Sequence, residues 1–233
     1  MYGFGNCLEY LLNSKAYISN RIIRGTTLLW NRTKLQYRLM SLKGNLPEHK
    51  VQLLKKQSDL VLGGYGGSAN GFTYQLINLI SDELKIAHHT YQIGLIRIAI
   101  REKIPVIVNI RRPEMAISSV MVRFERDEVC WDLARYINYH SYLLNNSDDI
   151  LFLDFKDITE NTEKSVEKIE KFTGYNFSTQ NLQQKEEIAL SRLPNKSKPS
   201  EERDEKKQNL RKIIPEHSLY RKALKLYNKC LRY

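Results

Sequence analysis

Three short apolar runs stand out in the hydrophobic pattern of the chain, at residues 59–64, 104–110 and 149–154. Each run has the length of a strand rather than of a helix, and each is nearly continuous in apolar side chains. Runs of this kind are typical of strands that are buried on both faces of a parallel sheet. The pattern therefore predicts core strands that belong to one sheet.

Apolar residues at helical spacing follow each of these runs. The pattern predicts helices at residues 71–85, from Pro113 onward, at residues 160–173 and at residues 215–231. Proline is favoured in the first turn of a helix, and Gly174 has the residue type that favours a helix end. Strands that alternate with amphipathic helices indicate a parallel sheet with helices on both faces. The predicted fold class is therefore α/β, with three layers.

The remaining segments predict how the chain is divided. Residues 1–55 are basic with a helical pattern, so we expect a helical N-terminal extension that packs on a main domain at residues 56–233. A basic amphipathic helix that binds an anionic surface or a partner is the alternative for this extension. Residues 178–212 are highly polar, which predicts a solvated, mobile loop within the main domain.

Composition supports a globular protein and leaves its partners open. The chain is 42% hydrophobic and 27% charged, which is sufficient for a core without disulfides. Its three cysteines form no C-x-x-C pair, which argues against a disulfide framework or a zinc site. The net charge of +11 favours anionic partners such as nucleotides, nucleic acid, sulfated or phosphorylated substrates, or a membrane surface. No apolar run approaches the roughly 20 residues that span a bilayer, and the N-terminus lacks a signal-peptide pattern, so we expect a cytoplasmic protein.

A glycine-rich loop follows the first predicted strand. Residues 63–71 read Gly-Gly-Tyr-Gly-Gly-Ser-Ala-Asn-Gly and precede a predicted helix. Glycines let a backbone approach a ligand closely, and the N-terminus of a helix favours phosphate or sulfate. The loop lacks the Gly-Lys-Ser/Thr of a Walker A motif, and no acidic residue supports a dinucleotide fold. The pattern predicts an anion site, with a tight structural turn as the alternative.

An arginine and a serine follow the second predicted strand. Arg111 lies at its C-terminal end, where open α/β sheets bind ligands, and Ser119 lies about two helical turns after Pro113. A guanidinium and a hydroxyl at this spacing could together hold one phosphate group. A surface arginine and a buried helix serine are the alternative.

The order of these segments resembles the sulfotransferase superfamily that uses 3′-phosphoadenosine-5′-phosphosulfate. Residues 64–72 are similar to the family loop Gly-Tyr-Pro-(Arg/Lys)-Ser-Gly-Thr-Thr-Trp, which binds the 5′-phosphosulfate. Residues 111–119, from Arg111 to Ser119, look like the family's arginine–serine element, which binds the 3′-phosphate. The strand and helix at residues 151–175 resemble the family's third element. The resemblance implies a P-loop nucleotide-binding-like domain with helical N- and C-terminal extensions.

The same resemblance implies binding roles for individual residues. Arg111 and Ser119 would hold the 3′-phosphate, and Phe72 would lie near the adenine. The late basic loop of the family would correspond to Arg192 and Lys196, with an ordinary solvated charge run as the alternative. No metal is expected. The residues that would cradle the 5′-phosphosulfate are Gly66, Gly67, Ser68, Ala69, Asn70 and Gly71.

A general base is also implied, because the family has a histidine or a glutamate between its first two motifs. His88 and His89 lie 23 and 22 residues before Arg111, a spacing similar to that of the family. A neutral imidazole near pH 7 can accept a proton from a hydroxyl, and His88 is the preferred candidate. Adjacent histidines that cap a helix C-terminus are the alternative.

The loop departs from the family pattern, and this affects the expected function. Gly67 replaces the basic residue that contacts the transferring group, and residues 69–71 replace Gly-Thr-Thr. We expect a sulfotransferase that acts on a hydroxyl or amine of a small-molecule or glycan acceptor. A non-catalytic nucleotide- or polyanion-binding homologue is the alternative. A nucleotide kinase is less favoured because the P-loop lysine is missing, and nucleic-acid binding would leave the spacing of Arg111 and Ser119 unexplained.

Overall fold

A parallel sheet forms the centre of the computed structural model, which describes residues 57–81, 84–88, 93–194 and 201–233. Within these ranges the sheet has four strands in the order β2-β1-β3-β4, and every neighbouring pair is parallel. In chain order the strands are β1 (Leu60–Gly64), β2 (Ile86–Ala87), β3 (Val106–Ile110) and β4 (Ile150–Asp154). Because all strands run in the same direction, their carboxyl ends meet at one edge of the sheet.

Helices connect the strands and cover the sheet. Among the described residues they are α1 (Asn70–Ile80), α2 (Ile93–Arg101), α3 (Pro113–Arg123), α4 (Val129–Leu144), α5 (Phe155–Glu160), α6 (Thr162–Thr173), α7 (Leu182–Ser191), α8 (Glu201–Ile213) and α9 (Tyr220–Cys230). None of these helices is long and apolar enough to span a bilayer.

The core consists of two apolar clusters, one on each face of the sheet. Leu60, Leu62 and Ile107 point into the cluster that α1 and α6 cover. Val61 and Val106 point into the opposite cluster, with α3, α4 and α9. Successive strand residues alternate between the two faces, and because both faces are buried the strands are continuously apolar. The predicted three-layer α/β fold and its strands β1, β3 and β4 are confirmed.

The helix after the glycine loop is shorter than the sequence pattern predicts. It ends at Ile80 rather than near residue 85, because Ser81 adopts an extended conformation and its hydroxyl donates to the carbonyl of Ile77 at 2.6 Å. The chain then returns to the sheet as β2, and the carboxylate of Asp59 accepts a 2.8 Å hydrogen bond from the amide of Lys85. A strand of two residues is too short to produce a recognisable sequence pattern.

Most of the described part of the polar stretch at residues 178–212 is helical, so the prediction of a loop is wrong there. It contains α7 and α8, with residues 195–200 outside the described ranges. Helix α8 has acidic residues in its first turn and Arg211 in its last turn. Both placements stabilise the helix, because the charges interact favourably with the helix dipole. Lys206 also pairs with Glu202 one turn earlier at 2.6 Å. Charges at helical spacing therefore support a helix in a segment with few apolar residues.

A further difference concerns a segment that the sequence analysis did not place. Helix α4 received no assignment, yet it buries Leu133, Tyr136 and Leu143 against the sheet. The predicted helical extension at residues 1–55 lies outside the described residues and stays a prediction.

Candidate functional site

A cavity of about 1120 Å³ opens at the carboxyl edge of the sheet. Its walls come from the loop after β1, the end of β3, and side chains of α1, α3, α4, α7 and α8. The predicted residues Gly66, Gly67, Arg111 and Ser119 all line this cavity. The fold thus brings together two motifs that are separated by more than forty residues of sequence.

Gly67 lies where the loop meets α3. Its φ angle is +79°, and a Cβ atom added to it would lie 2.8 Å from the Cβ of Ser119 and 3.0 Å from the carbonyl oxygen of Ala116. An L-residue is therefore disfavoured twice, by the backbone conformation and by the contact. The absence of the basic residue at this position follows from how closely α3 approaches the loop.

The rest of the loop leads into the N-terminus of α1. Ala69 precedes the helix with a φ of 62°, a left-handed conformation that glycine would adopt more easily. Ser68 is only 1% exposed, and its hydroxyl has no hydrogen-bond partner among the described residues. Asn70 donates to the carbonyls of Gly64 and Tyr65 at 3.0 and 3.3 Å, which fixes the turn. The loop is thus held firmly beside the positive end of a helix dipole, with one hydroxyl unsatisfied.

Arg111 connects the end of β3 to this loop. Its Nη1 donates a 2.7 Å hydrogen bond to the carbonyl of Gly67, and its guanidinium carbon lies 3.6 Å from the ring centroid of Phe155. Burial, and then the positive charge of Arg211, lower the pKa of Arg111 to about 10. The side chain therefore stays charged at neutral pH, and N–H groups remain for a ligand in addition to the one bonded to Gly67.

His88 follows β2 directly and lines the same cavity. Its ring stacks on Tyr74 of α1, with 3.7 Å between the centroids and 22° between the planes. His88 therefore lies at the carboxyl edge of the sheet, together with the glycine loop and Arg111, although strand β2 was not predicted. His89 lies outside the described residues. The role of either histidine as a base stays a prediction.

The other predicted site residues differ in position. Phe72 lines the cavity but is mostly buried, at 6% exposure. Arg192 is exposed at the end of α7, next to the cavity residues Ser191 and Leu193, and is not itself part of the wall. Lys196 lies outside the described residues.

Arg211 of α8 is a residue that the sequence analysis missed. Its charge is close enough to lower the pKa of Arg111, and its Nε is buried without a hydrogen-bond partner among the described residues. No motif surrounds it, and its segment was interpreted as a loop. The only available signal was the charge pattern that makes α8 a helix.

A polar network beside the loop was also missed, because α4 was not predicted. The hydroxyl of Tyr65 donates to the carboxylate of Asp132 at 3.1 Å, and Arg126 donates to the same oxygen at 2.7 Å. His140, one helical turn after Tyr136, is fully buried and stacks on it at 3.8 Å. Its Nδ1 lies 2.9 Å from the carbonyl of Tyr136 and must carry the proton, and burial lowers the pKa of His140 to about 4.

Within the described ranges, no group of three or more His, Cys, Asp or Glu side chains could hold a metal ion. The expectation that no metal takes part stays a prediction. Cationic side chains of α3, α4 and α8 line the cavity together with Arg111.

The fold and the site together define an α/β protein with a cavity lined by several cationic side chains at the carboxyl edge of a parallel sheet. The sequence model of the sulfotransferase domain matches residues 107–224, just over half of the chain. The protein belongs to this family of transferases. The match begins within β3 and includes Arg111 and Ser119, whereas the glycine loop precedes it. No curated protein and no solved structure matches the chain.

Proposed function

We propose that this protein transfers a sulfuryl group from 3′-phosphoadenosine-5′-phosphosulfate to a hydroxyl or amine of a small-molecule or glycan acceptor. The observation that carries the proposal is the convergence of Arg111, Gly67 and Ser119 in one cavity. The two elements that resemble the family's phosphate-binding motifs are in direct contact there. Family membership supports the transferase class, and the site supports the anionic donor.

The residues present fit such a donor. The loop at residues 66–71 would hold the 5′-phosphosulfate with backbone amides and the N-terminus of α1. Ser68 is not among the residues that line the cavity, although its buried hydroxyl has no hydrogen-bond partner within the described ranges. Arg111 and Ser119 would hold the 3′-phosphate, and the positive charge of Arg211, which lowers the pKa of Arg111, would add to the attraction for that phosphate. Phe72 would lie near the adenine.

Gly67 raises the question of how charge is stabilised during transfer. Removing one hydrogen-bond donor that stabilises developing charge typically raises the free energy of the transition state by about 2.7–4 kcal/mol. Here the guanidinium of Arg111 bonds to the carbonyl of Gly67, so a positive charge lies beside the loop although the loop has no basic side chain. We infer that Arg111 supplies part of the charge that the loop itself does not provide.

His88 would accept the proton of the acceptor group. It lines the cavity with the glycine loop, and stacking on Tyr74 fixes the plane of its ring. The cavity of about 1120 Å³ exceeds the usual 300–1000 Å³ of a small-molecule site. It therefore has room for an acceptor beside a nucleotide.

Ligand-dependent melting tests this proposal. Adenosine 3′,5′-bisphosphate should stabilise the protein more than AMP or ATP does at the same concentration. At 100 times its dissociation constant it should add about 2.7 kcal/mol to the free energy of unfolding of the unliganded protein. The effect should persist in EDTA, because the residues that would hold the nucleotide include no metal ligand set. Equal melting shifts with bisphosphate and AMP would contradict the donor assignment, and strict magnesium dependence would favour a nucleotide kinase.

A second candidate function is a nucleotide-binding homologue without activity, which Gly67 specifically favours. Both functions predict bisphosphate binding, so a transfer assay must separate them. Release of bisphosphate from 3′-phosphoadenosine-5′-phosphosulfate in the presence of acceptor mixtures would support the enzyme. Tight binding without turnover for every acceptor class would support the binding protein.

A further inference from the structure

Arg126 and Arg135 form a second basic wall of the cavity, which the proposed donor contacts do not use. Both side chains line the cavity. Arg126 lies just after α3, and Arg135 lies in the first half of α4. Their side chains are 31% and 27% exposed, so both guanidinium groups are partly buried.

The carboxylate of Asp132 holds this wall in place. It is fully buried, and its Oδ1 accepts hydrogen bonds from Arg126 at 2.7 Å and from Tyr65 at 3.1 Å. Nη1 of Arg135 lies 3.7 Å from the same oxygen. A buried ion pair is a weak source of stability, and burial of a carboxylate is costly, so stability alone explains this arrangement poorly. The arrangement places two guanidinium groups beside one carboxylate, so this part of the cavity wall has a net positive charge.

More positive charge lies next to this wall. Arg123 of α3 also lines the cavity, and burial, followed by the positive charge of Arg203, lowers the pKa of Arg123. Like charges that lie close together repel, and an anion between them relieves the repulsion. The acidic side chains that line the cavity are on other helices: Asp204 of α8 pairs with Lys207 at 2.7 Å, and Glu186 belongs to α7.

We propose that Arg126 and Arg135 bind an anionic group of the acceptor, so that the acceptor carries a carboxylate, sulfate or phosphate near its accepting hydroxyl or amine. This inference rests on the proposed sulfuryl transfer. A guanidinium presents a planar fork of N–H donors that matches the oxygens of all three anionic groups. Arg126 uses Nη1 for Asp132 and keeps further N–H groups for such a ligand.

The test measures probe binding to the full-length protein saturated with adenosine 3′,5′-bisphosphate, so that the nucleotide already fills its own anion sites. The probes are glucose, glucuronic acid, glucose 6-sulfate and glucose 6-phosphate, which share a sugar ring and differ in the anionic group. We expect at least one anionic probe to bind about tenfold more tightly than glucose, because a hydrogen bond between charged groups contributes that much. The preferred probe identifies the carboxylate, sulfate or phosphate.

Two variants connect the preference to this wall. Arg135→Gln removes one guanidinium while Arg126 still pairs with Asp132. The double variant Arg126→Gln/Asp132→Asn removes the other and leaves no unpaired buried carboxylate, which protects folding. Both should lose the preference for the anionic probe and keep the affinity for bisphosphate. Arg101→Gln, 55% exposed at the end of α2, controls for the loss of one positive charge.

The outcomes separate this inference from the proposed function. Equal or undetectable binding of all four probes, or an unchanged preference in both variants, would overturn it. A matching loss of bisphosphate affinity in the variants would also overturn it, since the wall would then belong to the donor site. Bisphosphate that binds no better than AMP would refute the proposed function, whereas normal bisphosphate binding without an anionic preference would refute only the acceptor class.

Discussion

The guanidinium of Arg111 and the backbone carbonyl of Gly67 share a 2.7 Å hydrogen bond across 44 positions of sequence. This bond fixes the end of β3 to the loop that follows β1. Ser119 of α3 lies so close to the same glycine that a Cβ atom added to Gly67 would be 2.8 Å from the Cβ of Ser119. Gly67 is therefore the point at which both phosphate-binding segments of the proposed donor site meet.

Introducing a side chain at Gly67 should lower the stability of the folded protein. For Gly67→Ala we expect a loss of about 2–5 kcal/mol in the free energy of unfolding. The backbone conformation contributes about 1–2 kcal/mol, and the contact with Ser119 contributes about 1–3 kcal/mol. Urea unfolding measures the loss, and Gly67→Lys should lose at least as much free energy of unfolding as Gly67→Ala.

Gly174→Ala is the matched control for this experiment. Gly174 has nearly the same φ, +75° against +79°, but a Cβ atom added to it would meet no atom within 4 Å. The control should therefore lose only the conformational part. Equal losses at both positions would show that the contact between Gly67 and Ser119 does not restrict the loop.

Arg111→Lys should weaken bisphosphate binding by about 10- to 100-fold and leave AMP binding nearly unchanged. Lysine keeps the charge but lacks the planar fork, so it cannot bond to Gly67 and to a 3′-phosphate in the same way. Calorimetric titration with both nucleotides measures the difference. Arg101→Lys serves as the exposed control. A similar loss for AMP would place Arg111 at the 5′ end of the nucleotide instead.

His88→Ala should reduce turnover by about 10²- to 10⁴-fold while bisphosphate binding stays intact. His89→Ala should have a much smaller effect. His88→Phe is the informative control, because it can keep the stack on Tyr74 and removes the proton acceptor. If His88→Phe retains activity, the residue has a packing role and another group accepts the proton.

Burial of His140 should make the protein less stable in mild acid. Its pKa is near 4 in the folded protein and near 6.5 when exposed, so below pH 6.5 the unfolded chain binds more protons than the folded one. The stabilisation is therefore complete above about pH 6.5 and is lost as the pH falls towards 4, by about 3 kcal/mol in total.

Urea unfolding between pH 4 and pH 7 checks this prediction. His140→Phe can retain the stack on Tyr136 and cannot titrate, so its stability should change less with pH over this window. An unchanged slope in the variant would assign the acid sensitivity to other groups.

The sequence by itself determined the α/β class, the strands β1, β3 and β4, and the segments that resemble sulfotransferase motifs. These features are local: an apolar run that is buried on both faces, a glycine loop before a helix, and an arginine at a strand end can each be recognised without neighbours. The helix end at Gly174 was predicted for the same reason.

Only the tertiary structure decided which of these segments touch each other, and which other residues join them. Strand β2 forms because Ile86 and Ala87 pair with β1, and two residues carry no periodic signal of their own. The contact between Gly67 and Ser119 and the wall of Arg126 and Arg135 depend on how α3 and α4 pack over the loop. Such contacts join residues that are distant in the chain, so their distances are set by the packing of whole elements and no local pattern encodes them.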